Sequence, residues 1–173
     1  MKFSVGNYRE QGISVDTLRV IISVDDGSGS GEQPAGALKQ AEGNLEFKAA
    51  FAPKHLEDNR KLVSRLADVA KVVSLLKVKK IVFHVSGSED QKEKLVTWTV
   101  EALLLHYTKD LRFKEDEEDN SGNMDIMFHE EGDSSYLQNK IDYISSRTLG
   151  VITSRELGNI PPNLLDPMRF AEE

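Results

Sequence analysis

Leu62, Leu66, Val69, Val73 and Leu76 recur at steps of four, three, four and three residues. That spacing lays one apolar stripe on a helix predicted over 62–78, with Lys61, Arg65, Asp68 and Lys71 on its other side. The β-branched run TLRVIISV at 17–24 predicts a buried strand. Leu45, Phe47, Ala49 and Phe51 alternate with Glu46, Lys48 and Ala50, which predicts a strand with one face buried, ended by Pro53. Ile81 to Val85 is a short apolar run, read as a strand covered on both faces and therefore parallel to a neighbour. A helix over 62–78 followed by a strand over 80–86 is half of a βαβ unit.

Ser88 and Gln91 have capping-box spacing and open a helix through Leu95, Trp98, Ala102 and Leu105. Val96, Val100, Leu103 and Tyr107 add a second apolar stripe, so this helix is covered on more than one side. Either it is central to the domain or it also meets a neighbouring one. In the second case the isolated chain is expected to self-associate through 95–107. Lys114 to Asn123 reads as a polar loop and Met124 to His129 as a strand. Ser135 and Gln138 repeat the capping-box spacing ahead of a helix with Leu137, Ile141, Ile144, Thr148 and Ile152 on one face. It runs to about Leu157, with Gly158 where a helix stop belongs. No internal repeat is visible. Alternating strands and helices predict an α/β fold, a three-layer α/β/α sandwich with a mixed, mostly parallel sheet.

Composition narrows the class. The 173 residues, 39% hydrophobic and 29% charged, fit one globular domain with a tail. No apolar run approaches the ~20 residues that cross a bilayer. The opening MKFSVGNYREQ lacks the apolar core of a secretory signal. The absence of cysteine excludes disulfides and thiolate metal sites and suits a cytoplasmic location. A net charge of −7 argues against duplex binding, which draws its affinity from phosphate neutralisation. The basic cluster from Lys71 to Lys80 is interrupted by apolar residues and reads as a solvated face.

Candidate chemistry is sparse. Asp26 to Gly31 is glycine-rich, but Glu32-Gln33-Pro34 follow where a P-loop needs Lys-Ser/Thr. His55, His84, His106 and His129 lie on different elements, none with a second histidine three or four residues away. His129-Glu130-Glu131 could offer ligands but reads equally as a polar strand end, and His84 reads as a hydrogen-bonded core residue. Asp25 with Asp26 and the acids of 115–119 sit in loops, without the paired pocket geometry of acid–base catalysis. No GxSxG elbow is present. No catalytic, cofactor-binding or metal-ligating residue is therefore assigned.

The last twenty residues, SRELGNIPPNLLDPMRFAEE, carry the most specific pattern. Leu157-Gly158-Asn159 closes a helix that Pro161 and Pro162 prevent from continuing. Asp166-Pro167 then reads as an N-cap and first helical position, with only Met168 to Glu173 after it. Six residues make no stable helix unless something packs on them, so another domain is expected to begin here.

Asn159-Ile160-Pro161-Pro162-Asn163, Pro167 and Phe170-Ala171 resemble the interdomain junction of the leucine (cytosol) aminopeptidase family. Before residue 150 only the layout of strands and helices is similar. The resemblance implies a non-catalytic, macro-domain-like N-terminal domain at 1–150. It implies that 151–173 are the end of the interdomain helix and the junction to a catalytic domain. It implies two divalent ions, zinc or manganese, held in that catalytic domain beyond Glu173, with no cofactor in this chain. The implied partners are the chain's own C-terminal catalytic domain and further copies in a hexamer of the full-length parent; no membrane partner is expected, and the acidic balance speaks against nucleic acid. This piece alone would be inactive. Two rival readings remain: a stand-alone macro-like module binding an ADP-ribose-type nucleotide, and a DNA-binding regulatory domain. A calorimetric titration with ADP-ribose and a low-salt gel shift discriminate them.

Overall fold

A computed structural model of the protein describes residues 1–6, 17–24, 37–41, 44–76, 78–108, 124–130 and 135–160. The elements run β1 (Lys2–Gly6), β2 (Thr17–Val24), β3 (Ala37–Ala41), β4 (Asn44–Phe51), α1 (Pro53–Glu57) and α2 (Asn59–Leu75). There follow β5 (Lys80–Ser86), α3 (Glu89–Tyr107), β6 (Asp125–His129) and α4 (Ser135–Gly158). The strands form one sheet in the order β1-β6-β5-β2-β4-β3. The first five are mutually parallel, and β3 closes the edge antiparallel to β4. This is the expected α/β class with a mixed, mostly parallel sheet, matching a three-layer α/β/α fold.

Strand alternation sorts the side chains. Leu18, Val20 and Ile22 of β2, Phe47, Ala49 and Phe51 of β4, Ile81 and Phe83 of β5, and Ile126 and Phe128 of β6 all join one buried cluster. Phe83 and Phe128 are register partners, their rings stacked at 5.2 Å. Onto this face pack Leu62, Leu66, Val69 and Val73 of α2, Leu95, Val100 and Leu103 of α3, and Ile141, Ile144 and Ile152 of α4. Leu62 to Val73 of the predicted stripe are thus the buried side of α2, while Leu76 is its partly buried C-cap and the helix stops at Leu75 rather than 78. The helix itself begins earlier than predicted, because Asp58 caps it by accepting from the backbone N–H of Arg60 and Lys61.

α3 lies between α2 and α4. Leu95 and Ala102 of its first stripe and Val96, Val100 and Leu103 of its second are all buried within the domain. Trp98, Leu105 and Tyr107 are partly buried against the same cluster, so the helix is central to the domain. Its N-terminus is capped as read: Ser88 Oγ accepts from Gln91 N–H, and Gln91 Oε1 accepts from Ser88 N–H at 3.0 Å.

The second capping box is a correction. Ser135 is the first helical residue of α4, and the Gln138 carboxamide is used elsewhere. Its Oε1 accepts the backbone N–H of Val5 at 2.9 Å, on the outer edge of β1, and its Nε2 donates to Asp142 Oδ1. The reach of Gln138 to a strand edge outweighed the local option that spacing alone favoured. α4 runs unbroken through residue 150 to Gly158, one residue beyond the predicted end. The Asp166-Pro167 cap, the glycine loop at 26–31 and the polar loop at 114–123 lie outside the described residues.

Candidate functional site

The opposite face of the sheet bears side chains of another kind. Register places Arg19 beside Glu46 on β4 and Val82 on β5, and His84 beside His129 on β6. A polar row therefore crosses four strands. Lys48 Nζ lies 3.0 Å from Glu46 Oε1, and Arg19 Nη1 lies 4.0 Å from Glu46 Oε2. Arg19 Nε donates to His84 Nε2 at 3.2 Å, and the His84 and His129 rings are tilted at 4.6 Å between centroids. Glu46 is 8% exposed and Val82 fully buried, so this row sits in a partly dehydrated setting.

The electrostatics follow from that packing. Burial, the neighbouring Arg19 cation and His129 together hold the His84 pKa down to about 4, against a smaller opposing pull from Glu46. The ring is neutral near pH 7. Its Nε2 lone pair receives the Arg19 proton, which assigns the ring hydrogen to Nδ1. A lone pair committed to a guanidinium is ready neither to bind a cation nor to take a proton. No group of three His, Asp or Glu side chains converges into a cation cage among the described residues. The row contains no nucleophile beside a base and no pair of carboxylates. Its chemistry is that of a polar seam, hydrogen-bonded and charge-compensated.

The remaining histidines hold structure. His55 is buried and accepts the Ala52 N–H on Nδ1 at 3.1 Å, fixing the first turn of α1. Burial first, then Arg65, Lys54 and Lys61, lower its pKa. His106 Nε2 meets Ser74 Oγ at 3.1 Å, linking α3 to α2. At the end of β6, Glu130 pairs with Lys92 at 3.8 Å, as a polar strand terminus does. Asp25, Asp26, Glu131 and the acids of 115–119 lie outside the described residues.

The meeting of His84 with His129 on one side and Arg19 on the other was not legible as a cluster. The three residues lie 65 and 45 positions apart along the chain. Only the parallel register of three strands brings them together. A concavity of about 320 Å³ lies between α3 and α4 and is lined by Asp90, Glu93, Lys94, Thr97, Trp98 and Arg147. Its charges are largely engaged: Lys140 and Tyr136 hold Glu93, and Arg147 holds Glu101.

No family model matches the chain. A probable cytosol aminopeptidase of Rippkaea orientalis (strain PCC 8801 / RF-1) is 33% identical over 107 residues, which cover 60% of this chain and 21% of that protein. The chain therefore spans about a fifth of the length of that curated relative. A solved tomato leucine aminopeptidase mutant superposes with a TM-score of 0.75 over 99% of this chain and 41% of its own, at 16% identity. The bottromycin maturation enzyme BotP in complex with Mn superposes with a TM-score of 0.65 over 92% of this chain and 35% of its own, at 10% identity. The chain is thus similar in sequence to a cytosol aminopeptidase and in fold to a leucine aminopeptidase, the family that its C-terminal segment resembles.

Proposed function

We propose that this chain is the non-catalytic N-terminal domain of a cytoplasmic leucyl aminopeptidase. The observation that carries the reading is the fold match over nearly the whole chain to less than half of a leucine aminopeptidase. The parent protein hydrolyses N-terminal residues from peptides with two divalent ions, zinc or manganese, in a domain that follows the junction at 159–173. Such ions lower the pKa of a bound water and clamp the developing oxyanion when present. The described residues do not fit them, since no three suitable side chains converge and the His84 Nε2 lone pair is engaged with Arg19. The domain's part is to pack on its catalytic domain and to help subunit contacts in a hexamer.

The test compares the 173-residue chain with the full-length protein in release of the N-terminal residue from a leucyl peptide, with manganese or zinc supplied. Activity is expected in the full-length protein and none above background in the shorter chain. A full-length protein without peptidase activity, or a 173-residue chain that has it, overturns the reading. Sedimentation of the full-length protein at six times its monomer mass is expected if the domain serves a hexamer.

A further inference from the structure

The cleft between α3 and α4 has charges that its own ion pairs do not balance. Glu93 is matched by Lys140 at 2.9 Å, and Arg147 is matched by Glu101. Two other lining charges have no countercharge among the described residues, the Asp90 carboxylate and the Lys94 ammonium. They stand four residues apart on α3, a spacing at which an acid and a lysine can pair directly. The Lys94 ammonium turns instead to the Leu56 carbonyl of α1. That neutral acceptor leaves its charge uncompensated and two of its three N–H donors unspent.

Trp98 comes four residues after Lys94, so carboxylate, ammonium and indole follow one another along the same side of α3, a turn apart. The indole packs partly against the core and also lines the cleft. No ring or cation stacks on it among the described residues. A volume of about 320 Å³ is at the lower end for a ligand pocket and suits a small molecule. Opposite charges one turn apart, followed by an apolar ring, complement a molecule that carries an ammonium and a carboxylate on one carbon beside an apolar side chain. We propose that this cleft binds a free α-amino acid with an apolar side chain. Its ammonium faces Asp90, its carboxylate faces Lys94, and its side chain lies on the Trp98 ring. The proposal goes beyond the aminopeptidase reading and stands on the residues of this chain alone.

Trp98 is the only tryptophan of the chain, so its indole N–H gives one peak in a proton–nitrogen correlation spectrum and reports on the cleft directly. The test titrates the 173-residue chain at neutral pH with leucine, with leucinamide and with 4-methylpentanoate. The three share a side chain, but the second lacks the carboxylate charge and the third lacks the ammonium. A saturable shift of the indole peak is expected with leucine, at several-fold lower concentration than with either analogue. No saturable shift with leucine overturns the proposal. An equal response to all three reduces the cleft to an apolar contact, and leucinamide binding as tightly as leucine makes it a plain cation site; both overturn the zwitterion. Asp90 is exposed, so Asp90→Asn is expected to melt close to the parent chain. In that variant leucine is expected to bind several-fold more weakly and to lose its advantage over 4-methylpentanoate. A folded Asp90→Asn chain that binds leucine as the parent does overturns the assignment. None of these readouts depends on peptidase activity, so the aminopeptidase reading stands or falls separately.

Discussion

His84 sets the acid response of the sheet. In the unfolded chain its ring titrates near 6.5, and in the folded protein at about 4. Between those values the unfolded state holds a proton that the folded state refuses, so stability falls as the pH drops from about 6.5 to about 4. Below that range this group takes no further toll. Allowing for solvent around a half-buried ring, the loss is on the order of 1–3 kcal/mol. Thermal melts between neutral and mildly acidic pH check it, with His84→Gln expected to flatten this part of the profile. A second residue-scale expectation concerns Thr99, whose hydroxyl is buried between helices without a hydrogen-bond partner. Thr99→Val keeps the shape and removes an unsatisfied group. It is expected to be neutral or to stabilise by about 1 kcal/mol in denaturant melts.

At the scale of elements, the turn from β5 into α3 concentrates several requirements in five residues. Gly87 has φ +151°, and a Cβ there would stand 3.0 Å from Gln91 Oε1 and 3.2 Å from Gln91 Cβ. That is the side chain that returns to cap Ser88. Gly87→Ala therefore strains the backbone and pushes the capping residue aside, an expected loss of about 1–3 kcal/mol. Ser88→Ala, which removes only the cap, is expected to lose about 1 kcal/mol. If both variants melt like the parent chain, the turn is not organised as described.

What the sequence made legible at this scale was what repeats. A β-branched run exposed β2, alternation exposed β4, the four-three stepping exposed α2, and an apolar run exposed β5. Short elements without a period were missed. β1 has five residues and half-buried side chains, and β3, with the sequence ALKQA, has no strand propensity and exists through its pairing with β4. α1 was hidden because Pro53, read as the end of a strand, is also a favourable first residue of a helix. The polar seam was invisible for a different reason. Glu46, His84 and His129 were each seen, but their neighbourhood with Arg19 is fixed by strand order, which no local pattern encodes.

For the molecule as a whole, the sheet separates two kinds of packing. One face supplies the apolar cluster beneath α2, α3 and α4, and the other bears the Glu46–Arg19–His84–His129 seam. Among the described residues β1 forms one outer edge of that sheet, and the backbone groups of an edge strand are a template for another chain to add a strand. Gln138 meets the edge with a side-chain amide, which accepts the Val5 N–H as the carbonyl of a sixth parallel strand would. The contact thus works as a stopper against sheet extension between molecules. Gln138→Ala is expected to leave the fold intact and to bring on turbidity and thioflavin-positive material during storage at high concentration. A variant that stays clear would mean the edge is guarded by something other than this one carboxamide, whose value otherwise lies in the assemblies it prevents.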